Sequence, residues 1–415
     1  MHDFFYRNDR LCCEDVPLQR IADEVGTPAY VYSYKTLTDH FFKLRAALSS
    51  VDHLICYSVK SNSNLAVLKV LADQGSGFDI VSGGELYRVL KVGADPRKIV
   101  FAGVGKTGSE IEYALRNNIY FFTVESFPEL EAIDAAAAGL GVVARVAIRV
   151  NPDVDPKTHQ YTSTGKAENK FGLAIERALE AYRKALSLKN LRAMALHMHI
   201  GSQIVETKPF QEALSKIIPL VEDLRKMGVP LEVLDIGGGL GIIYREETPS
   251  TADEYAKAVL PGLKPLGLKV LIEPGRFIAG NAGVLLTKVL YLKVSPQKNF
   301  IIVDAGMNDL IRPSLYGAYH EIQPVMDRKL GKIVSDVVGP ICESGDFFAK
   351  DRSIASVDSG EILAVMSSGA YGFSMSSNYN TRPRAAEVMV KKDRFAIVRA
   401  REDYESLVRG EMIFN

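Results

Sequence analysis

At 415 residues the chain exceeds what one hydrophobic core usually supports, so two domains are expected, one of them large. Lysines and arginines number 50, as do aspartates and glutamates, so no field of one sign exists to draw nucleic acid or another polyanion. No run of about 18 apolar residues suggests a membrane span, and the expected ligand is a small molecule.

Met1 to Asn8 lacks a basic segment leading into an apolar one, which points to a cytoplasmic protein. Cys12, Cys13, Cys56 and Cys342 have no metal-type spacing, and neighbours such as Cys12 and Cys13 rarely bridge, so free thiols in a reducing compartment are expected. A short helical segment leads to the β-prone run Ala29-Tyr30-Val31-Tyr32, and Lys35 to Leu48 reads as an amphipathic helix. A rhythm then begins. Apolar strand-like runs at about 52–59, 77–81, 98–102, 119–124, 142–150, 191–199, 231–236 and 268–273 alternate with helical segments such as Leu65 to Leu71, Glu110 to Arg116 and Phe210 to Lys226. Eight near-continuous apolar strands alternating with helices indicate an α/β fold, a parallel sheet closed into a (β/α)8 TIM-like barrel rather than an open doubly wound sheet.

From about residue 280 strands follow without long helices: Val284 to Val294, Phe300 to Asp304, Lys332 to Val338, Glu361 to Ser367 and Arg384 to Val390. The expected division is a barrel over 35–279 and a mostly β second domain, a sandwich or barrel, built from 280–415 with the segment 1–34 donated to it.

In a barrel of this kind, function lies at the C-terminal ends of the strands. The first strand runs out in Tyr57-Ser58-Val59-Lys60-Ser61-Asn62, where an ammonium ending an apolar run must reach solvent, pair with a carboxylate or serve as a nucleophile. Asp79 lies in the second strand, followed by Ser82-Gly83-Gly84-Glu85. The run Gly237-Gly238-Gly239 after the seventh strand is either a tight turn or a phosphate cradle, which barrels commonly place there. His197 and His199 share a strand face, as a metal pair would; otherwise His197 packs within the barrel and His199 lies against a planar ring. Glu273 precedes Pro274-Gly275-Arg276, either as an internal ion pair with Arg276 or as the partner of a pyridine nitrogen. A lysine, a phosphate loop and a carboxylate together match the needs of pyridoxal 5′-phosphate, leaving Arg276 for a substrate carboxylate, and no metal is expected.

These stretches, with His199-Ile200-Gly201-Ser202-Gln203 and Cys342-Glu343-Ser344-Gly345-Asp346, resemble the diaminopimelate decarboxylases, pyridoxal-phosphate enzymes sharing the alanine racemase and ornithine decarboxylase fold. The resemblance covers essentially the whole chain. It implies that Lys60 forms the Schiff base, His199 stacks on the ring, Glu273 pairs with the pyridine nitrogen, and Asp79 joins the cofactor site. Ser202, Gly237, Gly238, Gly239, the stretch from Glu273 through Gly275 to Arg276, and Tyr371 would hold the phosphate end. Arg312 and Tyr316, with Arg276, would meet the distal carboxylate of the substrate, and Tyr371 would also touch the substrate. The family implies a homodimer with shared active sites, in which Cys342 protonates the α-carbon and Glu343 grips the distal ammonium in the partner's site. The implied reaction is decarboxylation of meso-2,6-diaminopimelate to L-lysine and CO2, the last step of lysine biosynthesis.

Related decarboxylases for ornithine, arginine or carboxynorspermidine would share the barrel, but Arg312 and Glu343 suit a zwitterionic distal end. A racemase needs a second base, a metal-dependent hydrolase leaves Lys60 and the glycines unexplained, and a silent regulator would have no need of Lys60 and Cys342. The long polar segment Asn151 to Asn169, with His159, Thr164 and Gly165, is the expected lid.

Overall fold

The computed structural model describes residues 2–156 and 170–414; His159, Thr164 and Gly165 of the expected lid lie outside them. Two compact units emerge, one comprising Asp39–Ile242 and Thr248–Phe277, the other Met1–Thr38, Ile243–Glu247 and Ile278–Asn415.

The chain enters through an antiparallel meander, β1 (Phe4–Arg7), β2 (Arg10–Cys13) and β3 (Val16–Pro17), followed by a helix over Leu18–Val25 and β4 (Ala29–Ser33). All five residues of β4 are buried, as befits a strand with neighbours on both edges.

The barrel strands are β5 (His53–Ser58), β6 (Gly77–Ile80), β7 (Ile99–Phe101), β8 (Phe121–Val124) and β9 (Ala144–Asn151), then β11 (Leu191–Met198), β12 (Val233–Asp235) and β13 (Lys269–Ile272). A two-residue β10 (Leu173–Ala174) runs along β9. Every barrel strand is parallel to the next, and the ring of eight closes where β8 meets β9 and β13 meets β5, giving the expected (β/α)8 barrel. Cys56, Val100, Phe121, Ala147, Met194, Ala195, Val233 and Leu271 form one core cluster from seven of these strands.

The helices between the strands start where the sequence supplies caps. Asn64 accepts from the Ala66 amide to open Leu65–Asp73, whose Val67, Leu68, Val70 and Leu71 are buried. Thr107 with Glu110, and Thr251 with Glu254, form reciprocal capping boxes opening Gly108–Arg116 and Ala252–Leu263; one such cap stabilises a helix by about 1 kcal/mol.

The second unit is mostly β. Its hub is β14 (Gly283–Val294), antiparallel to β4, to β15 (Asn299–Val303) and to β19 (Ile362–Val365). Beyond these lie β16 (Ile322–Pro324), β17 (Lys332–Val338), β18 (Phe347–Ala355), β20 (Ala386–Lys391) and β21 (Arg394–Arg399). The donated N-terminal segment is there: β4 runs parallel to β20 on one edge and antiparallel to β14 on the other. Leu11, Val16, Leu18 and Ile21 pack with Val31, Val284, Leu286, Val388 and Val390 in one core.

Candidate active site

Strand register brings the polar residues of the barrel together. Ser58 stands opposite Asp79 across β5 and β6, and His197 opposite Asp235 across β11 and β12. Beyond Ser58 the chain tightens into a 3-10 turn over Val59–Ser61, with Val59 and Ser61 buried and the Lys60 side chain 40% exposed. Ser61 pins the turn, its hydroxyl lying 2.9 Å from Tyr57 Oη and 2.8 Å from the Ser58 carbonyl oxygen. Lys60 Nζ donates to Asp79 Oδ2 at 2.6 Å, and Ser58 Oγ donates to the same oxygen at 2.7 Å. Asp79 is wholly buried; burial and the Glu273 charge push its carboxyl up, and Lys60 draws it back down.

Glu273 follows β13. Its Oε2 lies 3.2 Å from His197 Nε2, whereas its Oε1 is buried with no hydrogen-bond partner among the described residues. Burial works against this carboxylate, yet His197, Lys60 and His199 hold it well below the usual range. Asp235, wholly buried nearby, moves the other way: burial and the Glu273 charge keep it well above its usual value, and its Oδ1 accepts from the Gly237 amide at 2.9 Å. Ligand atoms of His197, Asp235 and Glu273 lie within 4.8 Å of one another, so among the described residues the trio with the geometry to hold a cation contains His197 without His199, unlike the His197–His199 alternative.

His199 accepts the Gly238 amide on Nδ1 at 3.2 Å, which leaves Nε2 to carry the proton of the neutral ring. Burial, then the Arg149 charge, push this imidazole well below its usual value. Arg149 is itself paired with buried Glu125 at 3.1 Å. Ser202 Oγ accepts from Arg276 Nη2 at 3.1 Å. Backbone crowding demands the glycines: a Cβ on Gly238 would lie 2.1 Å from the Glu273 carbonyl oxygen, and one on Gly239 2.5 Å from that of Gly201. Gly275 backs onto the first strand, where a Cβ would lie 3.0 Å from Ser58 Cβ.

The second unit carries the other expected residues. Arg312 is buried at the start of a short helix, Arg312–Tyr316, with its guanidinium 5.8 Å from the Tyr316 ring. Tyr371 has a left-handed backbone, φ 56°. Cys342 and Glu343 are exposed; the Cys342 amide donates to Asn380 Oδ1 at 2.7 Å, and Glu343 Oε1 accepts from the Gly345 amide at 3.3 Å. Ser314 of the short helix donates to the Gly345 carbonyl, tying this loop to the Arg312 segment. Three further residues were missed from the sequence: Ser58, seen there only as part of the Lys60 stretch, bonds Asp79, and Tyr244 and His320 surround Arg312. Tyr244 and His320 meet Arg312 only through the tertiary fold.

Lys60 on a buried acid, a buried carboxylate held by His197 and a neutral imidazole at one barrel mouth fit a pyridoxal-phosphate barrel enzyme, whose ring nitrogen would find its acceptor in Glu273. The comparisons agree. Residues 35–280 match the pyridoxal-binding domain of the pyridoxal-dependent decarboxylases. A Vibrio cholerae diaminopimelate decarboxylase is 51% identical over 98% of both chains, and one from Pseudomonas aeruginosa is 51% identical over 100% of this chain and 99% of its own. The crystal structure of the Helicobacter pylori diaminopimelate decarboxylase complexed with L-lysine superposes with a TM-score of 0.91 at 43% identity, covering 94% of this chain and 98% of the other. The chain belongs to the diaminopimelate decarboxylases, which are carboxy-lyases.

Proposed function

We propose that this enzyme converts meso-2,6-diaminopimelate to L-lysine and CO2 with Lys60 as the cofactor-bearing amine, Glu273 as the partner of the ring nitrogen and Cys342 as the proton donor. The observation that supports the site assignment is the arrangement of Lys60 Nζ on buried Asp79 at 2.6 Å with Glu273 held by His197 at the same end of the barrel. Bound pyridoxal phosphate supplies an electron sink for the pair left behind when the carboxylate departs. Glu273, anionic below its usual range, holds a proton on the ring nitrogen. Asp79, 2.6 Å from Lys60 Nζ, orients that amine and accepts its hydrogen bond while a substrate amine takes its place. Neutral His199 offers a flat face to the ring. The Gly237 and Gly238 amides already donate to Asp235 and His199. The Gly239 amide, Ser202, the backbone of the stretch through Gly275 to Arg276, and Tyr371 take the phosphate, which leaves the Arg276 guanidinium for the substrate.

Arg312 and Tyr316, with Arg276, take the distal carboxylate, and Glu343 takes the distal ammonium. A substrate lacking that carboxylate would leave Arg312 unmatched and bind poorly. The exposure of Cys342 and Glu343 supports a homodimer in which this loop completes the partner's site, with the barrel unit as the cofactor domain and the second unit, which takes in Ile243–Glu247 from within the expected 35–279, as the source of substrate and dimer contacts. The exposed Cys342 thiol suits the reducing cytoplasm.

The test is CO2 release by the cofactor-loaded protein offered meso-diaminopimelate, L-ornithine, L-arginine and carboxynorspermidine in parallel. Release from meso-diaminopimelate with lysine appearing supports the proposal. Release from one of the others instead would overturn the roles of Arg312 and Glu343.

A further inference from the structure

We propose that His320 is a positioning residue for Arg312: its imidazole, locked in one tautomer, takes up the guanidinium Nε–H and thereby sets the edge that Arg312 turns to a ligand carboxylate. The inference rests on the assignment of Arg312 to the distal carboxylate.

His320 is wholly buried. Its Nδ1 lies 2.8 Å from the Met366 carbonyl oxygen, which can only accept, so Nδ1 carries the proton and Nε2 presents a lone pair. Arg312 Nε donates to that lone pair at 3.3 Å. The anchor is itself fixed: the Met366 amide donates to the Glu321 carbonyl at 2.8 Å, and Arg352 Nη1 donates to the His320 carbonyl at 3.0 Å.

With Nε–H directed at the imidazole, the Nη1–Nη2 edge is turned away from it, and that edge can meet both oxygens of a carboxylate in parallel. Two rings brace the guanidinium, Tyr244 at 5.2 Å and Tyr316 at 5.8 Å, and the Tyr244 ring also meets His320 edge-on at 5.3 Å. A long side chain that would otherwise sample many rotamers is thereby held ready, which lowers the ordering cost of binding. The imidazole touches no reacting atom in this scheme; it acts through Arg312.

The experiment is steady-state kinetics on the full-length, cofactor-loaded enzyme with meso-diaminopimelate, comparing His320→Asn, His320→Gln and Arg312→Lys. Asparagine keeps a donor near the Nδ1 position but removes the acceptor; glutamine places an oxygen near Nε2. We expect the KM of His320→Asn to rise about tenfold or more with kcat within about threefold, as for loss of a hydrogen bond to a charged group, and His320→Gln to recover most of the rise. Cofactor occupancy, read from the bound absorbance, should match the wild type in both. An unchanged KM in His320→Asn alongside a raised KM in Arg312→Lys overturns the positioning role while leaving the Arg312 assignment intact. Equal losses of KM, kcat and occupancy in both His320 variants also overturn it, since they mark a purely structural histidine. An unchanged KM in Arg312→Lys overturns the Arg312 assignment, and the inference with it.

Discussion

Asp79, His197, Asp235 and Glu273 are each at most 6% exposed, and each is hydrogen-bonded to another group at the ends of the barrel strands. Cys342 and Glu343, by contrast, stand exposed on a loop, where the Cys342 amide donates to Asn380 Oδ1 and Glu343 Oε1 accepts from the nearby Gly345 amide. The difference is one of preorganisation. Charges buried in the barrel cost several kcal/mol to leave unmatched, so register and packing fix them before any ligand arrives. The loop pays no such desolvation cost, and its residues take their working environment only once something covers them.

Four substitutions would break or sharpen that contrast. Lys60→Ala should lower CO2 release by about three orders of magnitude or more and abolish the borohydride-reducible chromophore; a chromophore that survives would move the nucleophile away from Lys60. Cys342→Ala should bind cofactor normally and lose about 100-fold in kcat, because removing an exposed side chain leaves the barrel intact. Mixed with inactive Lys60→Ala subunits it should regain part of the activity, and no recovery despite demonstrated subunit exchange would argue against shared sites.

Gly238→Ala would set a methyl against the Glu273 carbonyl and should cost about 1–3 kcal/mol in denaturant unfolding, with weakened cofactor binding, as the strand ends are pushed apart. Asp309, 1% exposed in the second unit, has its carboxyl pushed up to about 7 by burial. The folded chain therefore holds this proton more tightly than the unfolded one. The stabilisation is complete below about pH 4 and lost as the pH climbs through 7, at most about 4 kcal/mol. Asp309→Asn should flatten the pH dependence of unfolding over that window, and an unaltered slope would show that this acid ionises freely.

The barrel was legible because its strands are buried on both faces, so stretches such as Ala144–Asn151 and Leu191–Met198 stand out as apolar runs. The second unit was less so. Phe347–Ala355 carries Lys350, Asp351 and Arg352 in mid-strand, and Arg394–Arg399 is an edge with little burial, so neither shows a strand's alternation. Within the barrel, Lys60 and Glu273 betray themselves as charges where apolar runs end. Tyr244 and His320 give no such signal: each is an ordinary residue in its own segment, and only the fold sets both beside Arg312.

The pairing of Ala29–Ser33 with Ala386–Val390 joins residues more than 350 positions apart, with the entire barrel between them in the chain. On a ribosome, every barrel strand is made long before β20 exists, so the second sheet stays incomplete until synthesis nears its finish. Closing so long a loop carries an entropic penalty that grows only with the logarithm of its length, yet long-range pairings of this kind slow folding. Until that late partner arrives, β4 can pair with β14 on one side while its other edge stands open, a strand for which a chaperone, or a second unfinished chain, would compete.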